Sequence, residues 1–294
     1  MREMHDPAAA ALERAAALLD AHPKDRVTRA LPSPATLVLP EPEGKVRTAL
    51  VLDTETTGLD WRTGKIIQIA ACPVRFDRRA RIVDIGQTVS WLEDPGEPLS
   101  GKISRLTGLT DAALAGKRID DHAVEQLLTD AAVVIAHNAA FDRPWWEDRF
   151  PLARVTPWAC SLGEVGWRGH GYEGRTLGGL LDQVAGWFNA RHRADADVDA
   201  LVGLPTAKLP PGHTVATELI ITAGKPTVRI SAVGVPYAAK DRLRLRGYRW
   251  AAAERVWQIE VPETHGDAEI AWLAIEASCS SPRSQRITWF DRHR

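Results

Sequence analysis

The stretch from Thr48 to Leu59, TALVLDTETTGL, sets the sharpest constraint on how this chain can fold. An apolar run closes on two carboxylates, Asp53 and Glu55, with a single residue between them. Residues i and i+2 of a strand face the same way, so both acids project to one side at the strand's carboxyl end. Two unit charges about 4 Å apart repel by ~4 kcal/mol at an effective dielectric of 20. Without compensation, one of them would take up a proton. Taken alone, the stretch is equally well explained as a polar turn around Gly58.

Two further stretches carry the same signal. AAVVIAHNAAFD is again an apolar strand, a small-residue turn and then an acid, Asp142, at the start of a helix. A local cap, or a pairing with Arg143, accounts for that acid just as well. In NARHRADADVDAL, a helix beginning near Ala194 puts Ala194, Asp197 and Leu201 on one face. The helical period turns Asp195 and Asp199 toward solvent. His192 sits on the loop before that helix, within reach of the same pocket, although an ordinary surface histidine is the simpler account in so charged a run.

Together these stretches place four inward-facing acids on three elements, with one histidine nearby. Hard divalent cations such as Mg²⁺ or Mn²⁺ take oxygen ligands. Two such ions a few ångströms apart would neutralise the cluster and clamp both reacting oxygens of a phosphodiester. With a reference pKa near 6.5, His192 is suited to take a proton from the attacking water.

The surrounding pattern indicates the architecture. Asp6-Pro7 and the alanine-rich run after it read as a capped helix, with Leu12, Ala15, Ala16 and Leu19 as a weak apolar stripe able to dock on a neighbour. A proline-rich connector follows, with room for a short strand inside it. TALVLD, KIIQIAACPVRF and RIVDIGQTVSWL read as three successive strands of a meander. Helices are expected over Leu99–Ala115 with Thr110 as a cap, over Asp121–Ala132, in FDRPWWEDRF and in TLGGLLDQVAGWF. AVVIAHN is a short strand covered on both faces. The sum is an α/β mixed sheet flanked by helices. After the break GLPTAKLPPGHT come a strand at Thr227–Val233, a helix at Tyr237–Arg246, a hairpin in YRWAAAERVWQIEV and a helix at Asp267–Ala277, which make a small α+β domain. The expected division is 1–46 helix and connector, 47–204 main domain, 205–225 linker and 226–294 accessory domain.

With 37 basic and 38 acidic residues, overall charge directs the chain to no partner class, so any anionic substrate must be held by local patches or bound metal. Three scattered cysteines form neither a disulfide ladder nor a zinc set, which suits a reducing cytoplasm. No apolar run reaches the roughly 18 residues of a membrane span, and the charged N-terminus makes a poor secretory signal.

DTETTGL, HNAAFD and HRADAD, in this order, resemble the three sequence blocks of the DEDD 3′–5′ exonuclease superfamily, in its histidine-bearing DnaQ-like or RNase T branch. ISRLTGLTDAAL and WACSLGEVGW resemble its connecting segments, and the resemblance covers Arg47 to Leu204. It implies an RNase H-like fold, with Asp53, Glu55, Asp142 and Asp197 as ligands of two divalent cations and His192 as general base. It also implies that Thr56 offers its backbone N–H to the terminal nucleotide, that Leu59 packs on the base and that Phe141 lines the pocket. His192 lies five positions before Asp197, which disfavours the branch that uses a tyrosine. The implied reaction releases nucleoside 5′-monophosphates from 3′ ends, with DNA preferred to RNA. An RNA-trimming enzyme would share every one of these residues. A catalytically silent nucleic-acid-binding adaptor would not need them intact.

The C-terminal AKD…L…GYRW…VW texture is similar to a small bacterial domain of unassigned function. Its tryptophans read as cross-strand packing. Lys240, Arg242, Arg244, Arg246 and Arg249 read as phosphate contacts or as a surface for a protein partner. The basic, aromatic tail SPRSQRITWFDRHR is left open, either folded back on the small domain or a docking segment.

Overall fold

The computed structural model describes residues 7–189 and 193–294. Helix α1 (Pro7–Asp20) and a two-residue strand β1 (Arg29–Ala30) precede the main sheet. Strands β2 (Arg47–Thr56), β3 (Ile66–Phe76), β4 (Ile82–Ile85) and β5 (Val89–Leu92) form the expected antiparallel meander. Helices α2 (Gly101–Thr107), α3 (Asp111–Leu114) and α4 (Asp121–Asp130) lead into β6 (Ala131–Ala136), which runs parallel to β2. Then come α5 (Ala139–Arg149), β7 (Trp158–Cys160), α6 (Leu177–Ala185), β8 (Trp187–Phe188), α7 (Ala194–Gly203) and α8 (Val215–Gly224). The sheet order is β4-β3-β2-β6-β7, with β5 also on β3, so β2 lies in the interior.

Alternation along β2 decides the layers. Ala49 and Val51 point to one face, where Ala194, Val198 and Leu201 of α7 and Leu219 of α8 close the core. Leu50 and Leu52 point to the other, against Trp145, Trp146 and Phe150 from α5 and its end. With both faces covered, the strand reads as the continuous apolar run seen in its sequence. The mixed, helix-flanked sheet agrees with the expected fold class.

A second sheet has the antiparallel order β10-β11-β9-β12, from β9 (Thr227–Ser231), β10 (Arg249–Ala251), β11 (Val256–Pro262) and β12 (Arg283–Ile287). Helices α9 (Lys240–Arg246) and α10 (Gly266–Glu276) add Leu243 and Leu273 to its core, beside Ile230 and Tyr248. Trp250 and Trp257 are paired across the hairpin with ring centroids 5.7 Å apart, the expected cross-strand contact.

Several expectations need correction. Residues 205–225 are no mere linker. After a bridge between Lys208 and Thr214 they form α8, whose Val215, Leu219 and Ala223 are fully buried in the main core. RIVDIGQTVSWL is two strands, because the ladder with β3 stops at Pro73, which accepts from the Gly86 N–H but has no N–H to return, and resumes with Val89 opposite Ala71. The short strand near the N-terminus is Arg29–Ala30, paired in parallel with β8, while the proline-rich stretch holds only a turn at Pro34–Thr36. Its partner Trp187–Phe188 had been assigned to a helix, which instead ends at the left-handed Gly186. The apolar stripe of α1 does not dock, as Leu12 and Leu19 are 71% and 50% exposed. Asp6, the expected cap of α1, lies outside the described residues. Strands β7 and β12 were not foreseen. Among the described residues no helix is long and apolar enough to cross a membrane.

The tail does both: Arg283–Ile287 folds back on the small sheet as β12, and the residues after it pack on the main domain, where the Trp158 N–H donates to the Trp289 carbonyl at 2.8 Å. Arg143 of α5 is wholly buried and donates to the carbonyls of Phe290 and Arg292, both at 2.6 Å, and to the Glu147 carboxylate at 2.7 Å. Arg292 in turn donates to the Ala223 and Lys225 carbonyls at 3.1 and 3.0 Å. Arg143→Ala is expected to cost about 3–5 kcal/mol, as for breaking a buried ionic contact, and to make residues 288–294 cleavable by trypsin. Urea denaturation and mass-analysed proteolysis would show this. An unchanged midpoint with a protected tail would contradict the assignment.

Candidate active site

The alternation that buries Ala49 and Val51 continues to Asp53 and Glu55, so both acids face α7 at the end of β2. Asp197, in the first turn of α7, meets them there, and ligand oxygens of Asp53, Glu55 and Asp197 lie within 4.8 Å of one another. Asp142 enters from the first turn of α5 and is only 2% exposed. Burial pushes the Asp53 carboxyl well above the usual carboxylate range, and the charges of Asp142, Asp197 and Glu55 push it further. Burial, then Asp197, raises Glu55 to about 7. Burial also raises Asp142 to about 7, with Glu55 adding to the rise and a hydrogen bond with Thr54 opposing it. Among the described residues, none of the causes named for these three shifts is a basic group.

The structure therefore brings together all four acids expected from the sequence. His192 lies outside the described residues. Thr56 is buried, and its hydroxyl donates to the Gly58 carbonyl at 2.5 Å, shaping the turn. Leu59 follows on that loop, 87% exposed. Phe141 is half-buried, with its ring 6.1 Å from that of Trp145. Asp195 and Asp199 are not simply solvated. Asp195 pairs with Arg193 at 2.9 Å, and Asp199 accepts from the Thr88 hydroxyl at 2.7 Å.

Three supporting residues escaped the sequence reading. Gln68 stands opposite Glu55 in the β2–β3 register, and its Oε1 accepts from the Ala194 N–H at 3.3 Å. That bond satisfies one orphan donor at the start of α7, where no side chain caps the helix. A lone glutamine inside IIQIAAC was the available signal. Asn189 Nδ2 donates to Asp197 Oδ1 at 3.2 Å. The Trp146 indole N–H donates to the Thr54 hydroxyl at 2.8 Å, fixing α5 against the strand between the two acids.

The donor set suits a hard cation, since every candidate ligand is a carboxylate oxygen. Asp142 Oδ1 is also buried and finds no hydrogen-bond partner among the described residues, as expected of an atom shaped to meet a cation. Two other clusters differ. Glu164, near Cys160 and His293, is already bonded by Arg292 at 3.3 Å. In the other, one oxygen of Glu218 is bonded by both His170 and His213, at 2.7 and 2.9 Å.

With this geometry in place, the relatives of the chain can be stated. A family model described as Exonuclease, the RNase T type, matches residues 50–204, and the chain belongs to that family. The DNA polymerase III PolC-type of Halalkalibacterium halodurans is 40% identical over 99 residues, which are 32% of this chain and 6% of that one. The PolC-type polymerase of Mycoplasma pneumoniae is 28% identical over 166 residues, covering 53% and 11%. The chain thus spans only a small part of the curated relatives it matches. Among solved structures, E. coli exonuclease I bound to a dA16 oligonucleotide is 15% identical with a TM-score of 0.47, covering 76% of this chain and 67% of that one.

The raised carboxyls set a pH dependence for the metal-free protein. The folded chain keeps protons on Glu55 and Asp142 that the unfolded chain releases near pH 4. Stability is therefore fully present below pH 4 and declines as pH rises toward about 7. Urea midpoints without divalent cations should fall between pH 5 and 8 by about 1 kcal/mol or more, the worth of one pKa unit. Asp142→Asn should flatten that fall and be the more stable protein at pH 8. A wild-type midpoint rising over this range would refute the account.

Proposed function

We propose that this protein is a 3′–5′ exonuclease that releases nucleoside 5′-monophosphates one at a time from single-stranded or frayed DNA ends. The observation that carries the reading is the meeting of Asp53, Glu55, Asp142 and Asp197 from three elements, where burial and mutual charge raise the first three. Family membership supports the reaction class. DNA as the polymer rests on the likeness to proteins named as DNA polymerases.

In this reading the four carboxylates would hold two divalent cations, Mg²⁺ or Mn²⁺, which when bound stabilise the charge that develops on the attacking and leaving oxygens. His192 accepts a proton from the attacking water as that water adds to phosphorus. The bond from phosphorus to the 3′-oxygen breaks, leaving a 3′-hydroxyl on the shortened strand and a 5′-phosphate on the released nucleotide. The exposed Leu59 packs on the terminal base, the Thr56 backbone N–H binds the nucleotide, and Phe141 walls the pocket. The catalytic unit runs past 204 to include α8, whose buried face belongs to the same core, and 226–294 forms an accessory unit.

The test is digestion of matched DNA and RNA oligonucleotides, single-stranded and duplex, with the 3′ end free or blocked. Mg²⁺- or Mn²⁺-dependent release of 5′-mononucleotides is expected from free 3′ ends of single-stranded DNA. Equal release from blocked ends would overturn the direction, and no release from any polymer would favour the silent adaptor. Asp142→Ala should abolish release while leaving the fold intact. His192→Ala should lower the rate by about 10²–10⁴-fold, the usual worth of general-base catalysis, and flatten the acid limb of the pH profile at saturating cation. Turnover near the wild-type rate would assign the proton to another group.

A further inference from the structure

A second feature of the molecule lies away from the acid cluster. A groove of about 720 Å³ opens in the C-terminal sheet, between the loop after β9, the β10–β11 turn and the start of β12. Its lining includes Tyr237 and Trp250, which are 82% and 52% exposed although both are large aromatics. Lys240, Arg255 and Arg283 bring positive charge, against a single acid, Glu254.

The basic residues of the neighbouring helix are mostly engaged elsewhere. Arg246 is paired with Glu269 at 2.9 Å and lies over the Trp272 ring. Arg242 donates to the Glu276 carbonyl, and Arg244 lies 3.7 Å from Asp241. In contrast, Arg255 and Arg283 are exposed and make no ion pair among the described residues. Arg255 holds its turn position at φ +53°, a region that favours glycine or asparagine. Lys240 Nζ sits 4.8 Å from the centre of the Tyr237 ring, joining charge to aromatic surface.

We infer that this groove binds single-stranded nucleic acid, with bases stacking on Trp250 and Tyr237 and phosphates meeting Lys240, Arg255 and Arg283. Exposed rings beside unpaired cations are what a strand needs when its bases are free to stack and its backbone is anionic. A duplex presents no free base faces and is a poor occupant. An acidic peptide would use the cations but leave the rings idle. The inference rests on the exonuclease reading only for the identity of the strand, which is the substrate of the acid cluster.

Binding is measured on the full chain in EDTA, by fluorescence anisotropy of a labelled single strand of about 20 nucleotides, longer than the usual footprint of one binding fold. Trp250→Ala should weaken binding by about tenfold, within the range for losing one stacked base. Arg255→Ser with Arg283→Ser should lower the slope of log affinity against log salt by about 1.4, at roughly 0.7 per lost phosphate contact. The paired arginine variant decides the matter if Trp250→Ala perturbs the hairpin, since both arginines are exposed. Unchanged affinity and slope in that variant, or duplex bound as tightly as single strand, would overturn the inference. Mononucleotide release from the free 3′ end of the same single strand in Mg²⁺ is followed in parallel. Its absence in wild type alongside intact strand binding would defeat the exonuclease reading and leave the groove standing.

Discussion

Mutual repulsion among carboxylates is the constraint around which the main sheet is built. Asp53, Glu55 and Asp142 sit where burial and neighbouring carboxylates both disfavour ionisation. A flexible scaffold would respond by letting the acids drift apart into water. Here drift is opposed, because two of them end an interior strand that is paired on both sides up to Val51, paired with β3 beyond it, and covered on both faces. The apolar run of β2 and the acids at its end are thus a single feature, in which rigidity upstream holds charge together downstream.

The other two acids are held by different means. Asp142 and Asp197 each lie in the first turn of a helix, where the macrodipole favours a negative charge by about 0.3–1 kcal/mol. That offsets only a small part of the repulsion. Both helices lack a side-chain N-cap, and their placement depends on contacts from the sheet instead. Gln68 receives the first N–H of α7, and Thr54, alternating to the opposite face from Asp53 and Glu55, receives the Trp146 indole of α5. Successive residues of β2 therefore position an acid, anchor the helix that carries another, and position a third.

The acids were legible because charge at the end of an apolar run is costly and so stands out in a sequence. The meander and the small sheet were legible from apolar and aromatic runs bounded by turn residues, and α5 and α7 from the short segments that carry their acids. Short or interrupted elements were not. Trp158–Cys160 and Arg283–Ile287 become strands through pairing with distant partners, β6 and β9, which no local pattern records. α8 was hidden by the prolines before it, although VATELIITA carries the buried stripe Val215, Leu219 and Ala223. Asn189 and Gln68 were missed because a single amide has no period at all. His192 was singled out by its place before α7 together with the family resemblance.

Charge balance over the whole chain also conceals how the cations are used. Arg143 and Arg292 are spent inside the protein, holding the tail to α5 and to the end of α8 through backbone carbonyls. A carbonyl cannot be protonated away, so these contacts persist across the pH range in which the acid cluster titrates. The tail follows β12, the edge strand whose first residue, Arg283, lines the groove, so its anchorage ties that edge to the main sheet. Once such structural arginines are set aside, the exposed Arg255 and Arg283 stand beside exposed aromatic rings, so a near-neutral chain still gathers positive charge locally.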